Sequence, residues 1–368
     1  MNLDSQRALA WKTYQRLPLP SRRHVDWQRL DLRALNLNDI EKRPQSVRVS
    51  FNSVPGVTVA PLTDHPRLGS VIPADEPNKL AALVAAQWRE GVLLHVPADH
   101  KTDRPVEITY EFCGENATAF PRTLVVLEAG SEATLVQKFI GMGRGVHASL
   151  TEVVLEETAR LHYVSFQHLS DGALDFTIKR AHVERDAKMD WVIGMFGGAL
   201  TRYDVECVML GEGGQSFMYG MAVADGGQQV AQFTRQHHRV GHTTSDLLFK
   251  NVLRERAATY YTGLIKVEKN ANGTNAYQSN RNLALDKTVQ CDSRPILEIE
   301  SHQLRCTHGA TVGRLDEDQL YYLQTRGLDE PTARNTLIEA FLDPVLERIR
   351  LAPLRAQFAE LIHRKALS

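Results

Sequence analysis

The 368-residue sequence predicts a mainly β protein: a solenoid over 91–313, preceded by a mostly helical cap (1–90) and followed by a helical domain (314–368). Three observations carry that prediction. From about 91 to 312 apolar and polar residues alternate, the period of a strand. Inside that region a motif recurs as Glu128–Glu132–Ala133–Leu135, Glu157–Ala159–Leu161–Tyr163, Glu184–Ala187–Met189–Trp191 and Glu212–Gln215–Phe217–Tyr219. Counted at Ala133, Ala159, Ala187 and Gln215, successive units lie 26, 28 and 28 residues apart. Outside the region the apolar residues fall at helical spacing instead. A fixed period in a β-rich chain marks stacked coils, each burying its apolar face only against its neighbours. An antiparallel sandwich of hairpins shows the same alternation; the constant period favours the solenoid. Such a stack exposes strand edges at both ends, and the helical termini are expected to cap them.

Composition narrows the class. The chain is 43% hydrophobic and 24% charged, enough for a substantial core, and its net charge of −1 argues against wrapping nucleic acid. The N-terminus MNLDSQRALAWKTYQR has no apolar stretch of a secretory signal. The longest apolar run, LAALVAAQW at 80–88, is too short to span a bilayer. Four unevenly spaced cysteines, Cys113, Cys207, Cys291 and Cys306, do not suggest a disulfide framework. The expectation is a cytoplasmic protein with free thiols.

In order, Trp11, Tyr14 and Leu17 mark a short helix over 5–17, stopped by Pro18 and Pro20. SRRHVDWQRLDL (21–32) reads as extended chain or turn, and Val47, Val49 and Phe51 as a strand. Leu80, Leu83, Val84, Gln87 and Trp88 form a helical stripe behind Pro77. Strands follow at 106–112, 123–128, 134–139 and 150–155. GMGRG (141–145) lacks the lysine and hydroxyl of a phosphate loop and reads as a turn. Weaker echoes of the repeat follow at Arg254–Ala257–Tyr260 and Asp286–Val289–Cys291. Helices return at Asp316, which with Gln319 resembles a capping box. A break is expected at Gly327 and an interruption at Pro344, with a last helix after Pro353.

No P-loop, H-E-x-x-H, G-x-S-x-G or C-x-x-C motif is present, so no conventional ATPase or hydrolase site is written here. His237, His238 and His242 form a histidine-rich stretch, with His238 and His242 expected on one side of a strand; its Thr and Arg neighbours suggest solvated polar strand rather than a zinc site. Cys291, Cys306 and His308 are soft ligands for iron or sulfur species. Cys306 and His308 share a strand face, whereas Cys291 lies about half a coil away, on a different wall. The bland reading of both thiols is burial, common for free cysteine. His308, between small residues, is the stronger functional candidate.

The segments AYQSNRNL (276–283), LEIE (297–300) and CTHGATVGRLDEDQLYYLQTRGL (306–328), together with AWKTYQRLPLPSRRHVDWQRLDL (10–32), resemble the SufD family of the SufB/SufD type. That resemblance implies a right-handed parallel β-helix with helical terminal domains. It implies a non-catalytic scaffold subunit that pairs with the SufB paralogue, binds the SufC ATPase and assembles a transient iron–sulfur cluster at the subunit interface, with none held permanently by the isolated chain. By motif, His308 is the cluster residue, with Cys306 beside it. The ATPase would dock on the helices from Asp316 to Phe341, at Tyr322, Arg326, Leu337, Ile338 and Phe341. The segment QCDS (290–293) departs from SufD and looks like SufB. It puts Cys291 forward as a further cluster residue, or the chain in a less specialised branch that pairs with itself as a homodimer. Two rivals stand beside this reading: a β-helix enzyme acting on acidic polysaccharide, and a structural solenoid without a metal role.

Overall fold

The computed structural model describes residues 2–23, 27–32, 40–141 and 143–367. His24–Asp26 of the expected 21–32 segment and Met142 of GMGRG lie outside the described residues. The chain winds in about eight turns, going up one sheet and returning through another. Sheet 1 stacks β18 (Gln290–Ile299), β16 (Ala258–Val267), β14 (Gln229–His238), β12 (Leu200–Met209), β10 (Ala173–Val183), β8 (Gly145–Leu155), β6 (Arg122–Leu127), β3 (Gly91–Val96) and β2 (Thr58–Pro61), with β5 (Ala117–Ala119) joined to β8. Sheet 2 stacks β1 (Val47–Phe51), β4 (Val106–Phe112), β7 (Glu132–Gly141), β9 (Arg160–Leu169), β11 (Lys188–Met195), β13 (Gln215–Ala224), β15 (Thr244–Leu253), β17 (Thr274–Ala284) and β19 (Leu304–Gly313). All these pairings are parallel except β1 on β4 and β2 on β3. The solenoid is a parallel β-helix, and the hairpin sandwich is excluded.

Register corrects the repeat count. Glu132, Arg160, Lys188 and Gln215 stack, so these coils measure 28, 28 and 27 residues, and the next two lengthen to 29 and 31 at Thr244 and Asn275. Ala133 stands over Leu161, not over Ala159. Ala159 and Ala187 belong to the corners, where their N–H groups close turns onto Glu156 O (3.1 Å) and Glu184 O (3.2 Å). At the same corners Gly130, Thr158, Asp186 and Gly213 take positive φ of 71°, 60°, 56° and 73°. Their amides continue the stacking: Gly130 N–H donates to Glu157 O and Thr158 N–H to Arg185 O. A left-handed residue at each corner, tolerated best by Gly and Asp, turns the chain without breaking the ladder.

The helices cover sheet faces rather than stack ends. α1 (Leu3–Arg16), capped by Asn2 and starting two residues earlier than expected, and α2 (Lys79–Gln87), capped by Asn78, bury their apolar stripes on the outer side of sheet 1, against Leu124, Val126, Leu150 and Phe176. The first 90 residues are therefore not mostly helical: they also supply β1 and β2, which reverse direction and close the first coil. After α3 (Glu317–Thr325), α4 (Glu330–Leu346) and α5 (Ala352–Leu367) lie on the outer side of sheet 2. Phe358 meets Phe166 and Phe196 edge-on at 5.2 and 5.3 Å. Gly194 makes room for it, since a Cβ there would stand 2.6 Å from the Phe358 ring. The chain breaks between α3 and α4 at Gly327, with φ 95°, but α4 runs through Pro344 into its last turn. Among the described residues no helix is long and apolar enough to cross a membrane.

Two buried polar groups hold these layers. On the outer side of sheet 1 Arg122 and Glu152, 2% and 0% exposed, pair at 2.7 Å. The same carboxylate accepts the amides of Gly69, Val71 and Ile72 at 3.0–3.2 Å, which seats the N-terminal segment on the sheet. Inside the coil Lys179 donates to Gln137 Oε1 (2.6 Å) and to the Tyr163 hydroxyl (3.1 Å), and burial pulls its ammonium down to about 7. The Glu152→Ala variant strands a buried arginine and three amides, so it is expected to lose about 3–5 kcal/mol of stability in chemical denaturation. A loss below about 1 kcal/mol, the surface-pair range, contradicts the anchoring role.

Candidate functional site at the open end of the solenoid

The last coil, β18 and β19, has a neighbour on one side only. Its inward residues follow from register. Cys291 lies over Thr259, Ser293 over Tyr261 and Pro295 over Gly263, while Cys306 lies over Ala276 and His308 over Gln278. Below this layer Gln278 spans the lumen, donating from Nε2 to Gly263 O (3.2 Å) and Ile296 O (3.4 Å). Gly263 permits that crossing, because a Cβ there would stand 2.4 Å from Gln278 Oε1. That oxygen and Ser293 Oγ are buried without a hydrogen-bond partner among the described residues. Buried polar atoms are normally paired, so the end of the stack carries unspent hydrogen-bonding capacity.

His308 is exposed, whereas Cys291 and Cys306 are half-buried. Cys306 packs with Ile265, Val267, Ala276 and Leu297, at the corner where β18 ends and β19 begins. Cys291 packs beside Val289 on the main core, towards the other corner. Thr259, beneath Cys291, and Asn282, beneath Val312, both meet the Asn251 side chain. Cys291 therefore faces the Val312 end of β19, while Cys306 and His308, two residues apart on one face, are separated by about 7 Å of strand. One chain does not gather the three into a chelate, and among the described residues no three His, Cys, Asp or Glu side chains are placed to hold a metal ion. Burial holds both thiols up at about 11.

The other candidates fall elsewhere. His238 is buried inside the coil, where its ring meets Thr243 Oγ1 (2.7 Å) and Ser245 Oγ (2.9 Å), and burial lowers it to about 3. His237 faces outward and pairs with Glu268 at 2.8 Å. His242 sits in the corner after β14 with φ 55°, so it does not share a strand face with His238. The solvated-strand reading is thus corrected for His238. Cys207 is a core residue, pushed up to about 12 by burial, and Cys113 lies 3.6 Å from Arg48.

At the C-terminus the expected docking residues divide. α3, capped by Asp316 at the amides of Asp318 and Gln319, buries none of its residues, and Tyr321 and Tyr322 are 69% and 56% exposed. Arg326 lies over the Tyr322 ring at 5.1 Å. Leu337 is half-buried on α4. Ile338 is 2% exposed in the layer between α4 and sheet 2, so it is a packing residue and not a docking one. Phe341 belongs mostly to that layer, with Lys250 over its ring at 4.6 Å. Gln278 and Ser293 escaped the sequence reading. They stand at the parity of His308 and Cys291, but only a known register turns parity into a shared lumen.

The geometry defines a class: a β-helix whose final coil is left open and lined with thiol, imidazole and amide groups. The profile of the SUF system FeS cluster assembly SufBD core domain matches residues 110–341, and the chain belongs to that family. It is 28% identical over 283 residues to iron–sulfur cluster assembly SufBD family proteins of Staphylococcus aureus strain USA300, Staphylococcus epidermidis and Staphylococcus haemolyticus. Each match covers 76% of this chain and 61% of the relative's length.

The raised thiols set a pH dependence. A thiol titrating near 11 is only about one part in a thousand thiolate at pH 8, and the thiolate is the nucleophile. Alkylation of Cys291 and Cys306, followed by peptide mass spectrometry, is expected to climb about tenfold per pH unit from pH 7 to 10. A plateau near pH 9, the behaviour of an ordinary free thiol, contradicts the burial that the structure assigns them.

Proposed function

We propose that this chain is a non-catalytic scaffold subunit of a cytosolic iron–sulfur cluster assembly complex. It joins a paralogue of the same fold, SufB-like, or a second copy of itself through the open end, and it binds a SufC-type ATPase through its C-terminal helices. The observation that carries this reading is the pair of uncovered ten-residue strands β18 and β19. Long unpaired edges are templates for pairing and are normally blocked. Joining two such ends satisfies the edges and faces the donors of one chain with those of the other, which makes good the ligands that a single coil keeps apart. The nascent cluster is the substrate of that interface, with His308 as the exposed ligand and Cys291 and Cys306 as the thiols. On α3, exposed Tyr322 and Arg326, with half-buried Leu337 on α4, offer an aromatic and cationic surface of the kind enriched in interfaces.

Two measurements test the proposal. Affinity capture of the full chain from its native cytosol, with ATP present, is expected to recover a P-loop ATPase together with a β-helix paralogue. Recovery of the ATPase with this chain alone supports the self-pairing form, and absence of any ATPase overturns the scaffold reading. The His308→Ala variant is expected to assemble the same complex but to yield at least tenfold less iron and acid-labile sulfide under anaerobic reconstitution, the size of a typical metal-ligand loss. Unchanged cluster yield removes His308 from the site.

A further inference from the structure

Far from the open end, a cavity of about 220 Å³ lies between the outer side of sheet 2 and the link from α4 to α5. Its floor is the solenoid, with His162 on β9 and Lys188 and Asp190 on β11; its rim is Glu347, Arg348 and Arg350. His162 is only 4% exposed, yet neither ring nitrogen has a hydrogen-bond partner among the described residues. The neighbouring carboxylate is already engaged, since Asp190 takes Arg350 at 2.8 Å and Lys188 at 3.5 Å. Tyr219 is likewise engaged, donating its hydroxyl to Asp246 at 2.8 Å. Arg348 lies over the Tyr219 ring at 4.3 Å, with its side chain exposed at the mouth. The buried His162 ring thus stays unpaired on the floor, with the Asp190 carboxylate beside it already taken and Glu347 out on the exposed rim. Its three cations outnumber the two carboxylates, Asp190 and Glu347, by one.

A buried imidazole with both nitrogens unpaired is costly, and an apolar residue at 162 would fill the same place without that cost. The arrangement makes sense when an acceptor enters from the mouth. We propose that the cavity binds a small free oxyanion, a phosphate or a short carboxylate, with His162 donating from the floor and Arg348 and Arg350 clamping it from the rim. Burial, with Arg350 and Lys188 adding to it, holds the imidazole down to about 4, so the ring is neutral and one nitrogen carries the proton to be donated. The volume corresponds to about seven waters at ~30 Å³ each, which suits a single oxyanion and not a nucleotide. The planar fork of arginine is suited to both phosphate and carboxylate. Because floor and rim belong to different layers, an occupant ties the C-terminal helices to the solenoid.

The test is calorimetric titration of the full chain with inorganic phosphate and, separately, with malonate, at constant ionic strength set by chloride. Saturable binding of one anion per chain is expected, for phosphate, malonate or both, and the comparison identifies the preferred oxyanion. Affinity should fall about tenfold or more in Arg348→Ala and in His162→Phe, the loss of one charge-assisted or buried hydrogen bond. Arg348 is exposed and its variant keeps the fold; should His162→Phe fail to fold, His162→Leu replaces it, and the His162 ring nitrogen shift on adding phosphate reports the same contact. A flat titration with both anions overturns the proposal, as does binding of equal strength in the Arg348→Ala protein with an unmoved His162 ring.

Discussion

Each backbone ladder in this protein is completed only by the coil above and the coil below. That constraint governs the rest of the structure. A stack of parallel coils has no way to finish itself, so the two ends need separate solutions. At the first coil the chain supplies one by reversing: β1 runs antiparallel on β4 and β2 on β3, with Pro61 on the edge strand, a residue at home where no ladder bond is needed. At the last coil the chain simply leaves, through the exposed helix α3. The open end is therefore a consequence of how the solenoid terminates.

The interior prepares that end. A chain of amides runs up the lumen, from Gln232 to Asn251 at 2.8 Å, from Asn251 to Asn282 at 2.9 Å, and from Asn282 to Thr311 O at 3.4 Å. Gln278 crosses from sheet 2 to sheet 1 one layer below His308. The Gln232–Asn251 and Gln278 bonds join opposite walls, which backbone ladders cannot do, and the Asn251–Asn282–Thr311 bonds carry the chain of amides up sheet 2. They fix the spacing of the walls where Cys291 and His308 stand, and they do so with groups that lose hydrogen bonds if the register slips.

What could be read from the sequence follows the same physics. The alternation and the repeat were legible because corner residues recur at each turn, such as Glu184 and Ala187, and turn chemistry is local. The faces were not. With helices on the outside of both sheets, a strand such as β8 is buried almost throughout, so parity alone does not say which residues point inward. That is why His238 passed for a solvated residue, although it points into the lumen against Thr243 and Ser245, and Ile338 for a docking one, since the sheet 2 layer it packs on lies far earlier in the chain. The cysteines were placed on different walls from their spacing alone, because half a coil is a local length. The opposed ends of Cys291 and Cys306 needed the register of β16 and β17. His162 gave no sequence signal at all, since its environment is the α4–α5 link nearly two hundred positions later.

Burial and openness act together at the end coil. The half-buried thiols are held protonated by the apolar clusters around them, which keeps them poor nucleophiles and slow to oxidise while the edges stand uncovered. Covering the end with a second chain removes more water and raises that barrier further. Only a soft cation delivered to the interface reverses it, because a metal replaces the thiol proton rather than competing with the apolar packing. On the proposed reading, ligation at Cys291 and Cys306 is coupled to proton release, and His308, exposed at the end of the stack, is the donor able to receive iron first.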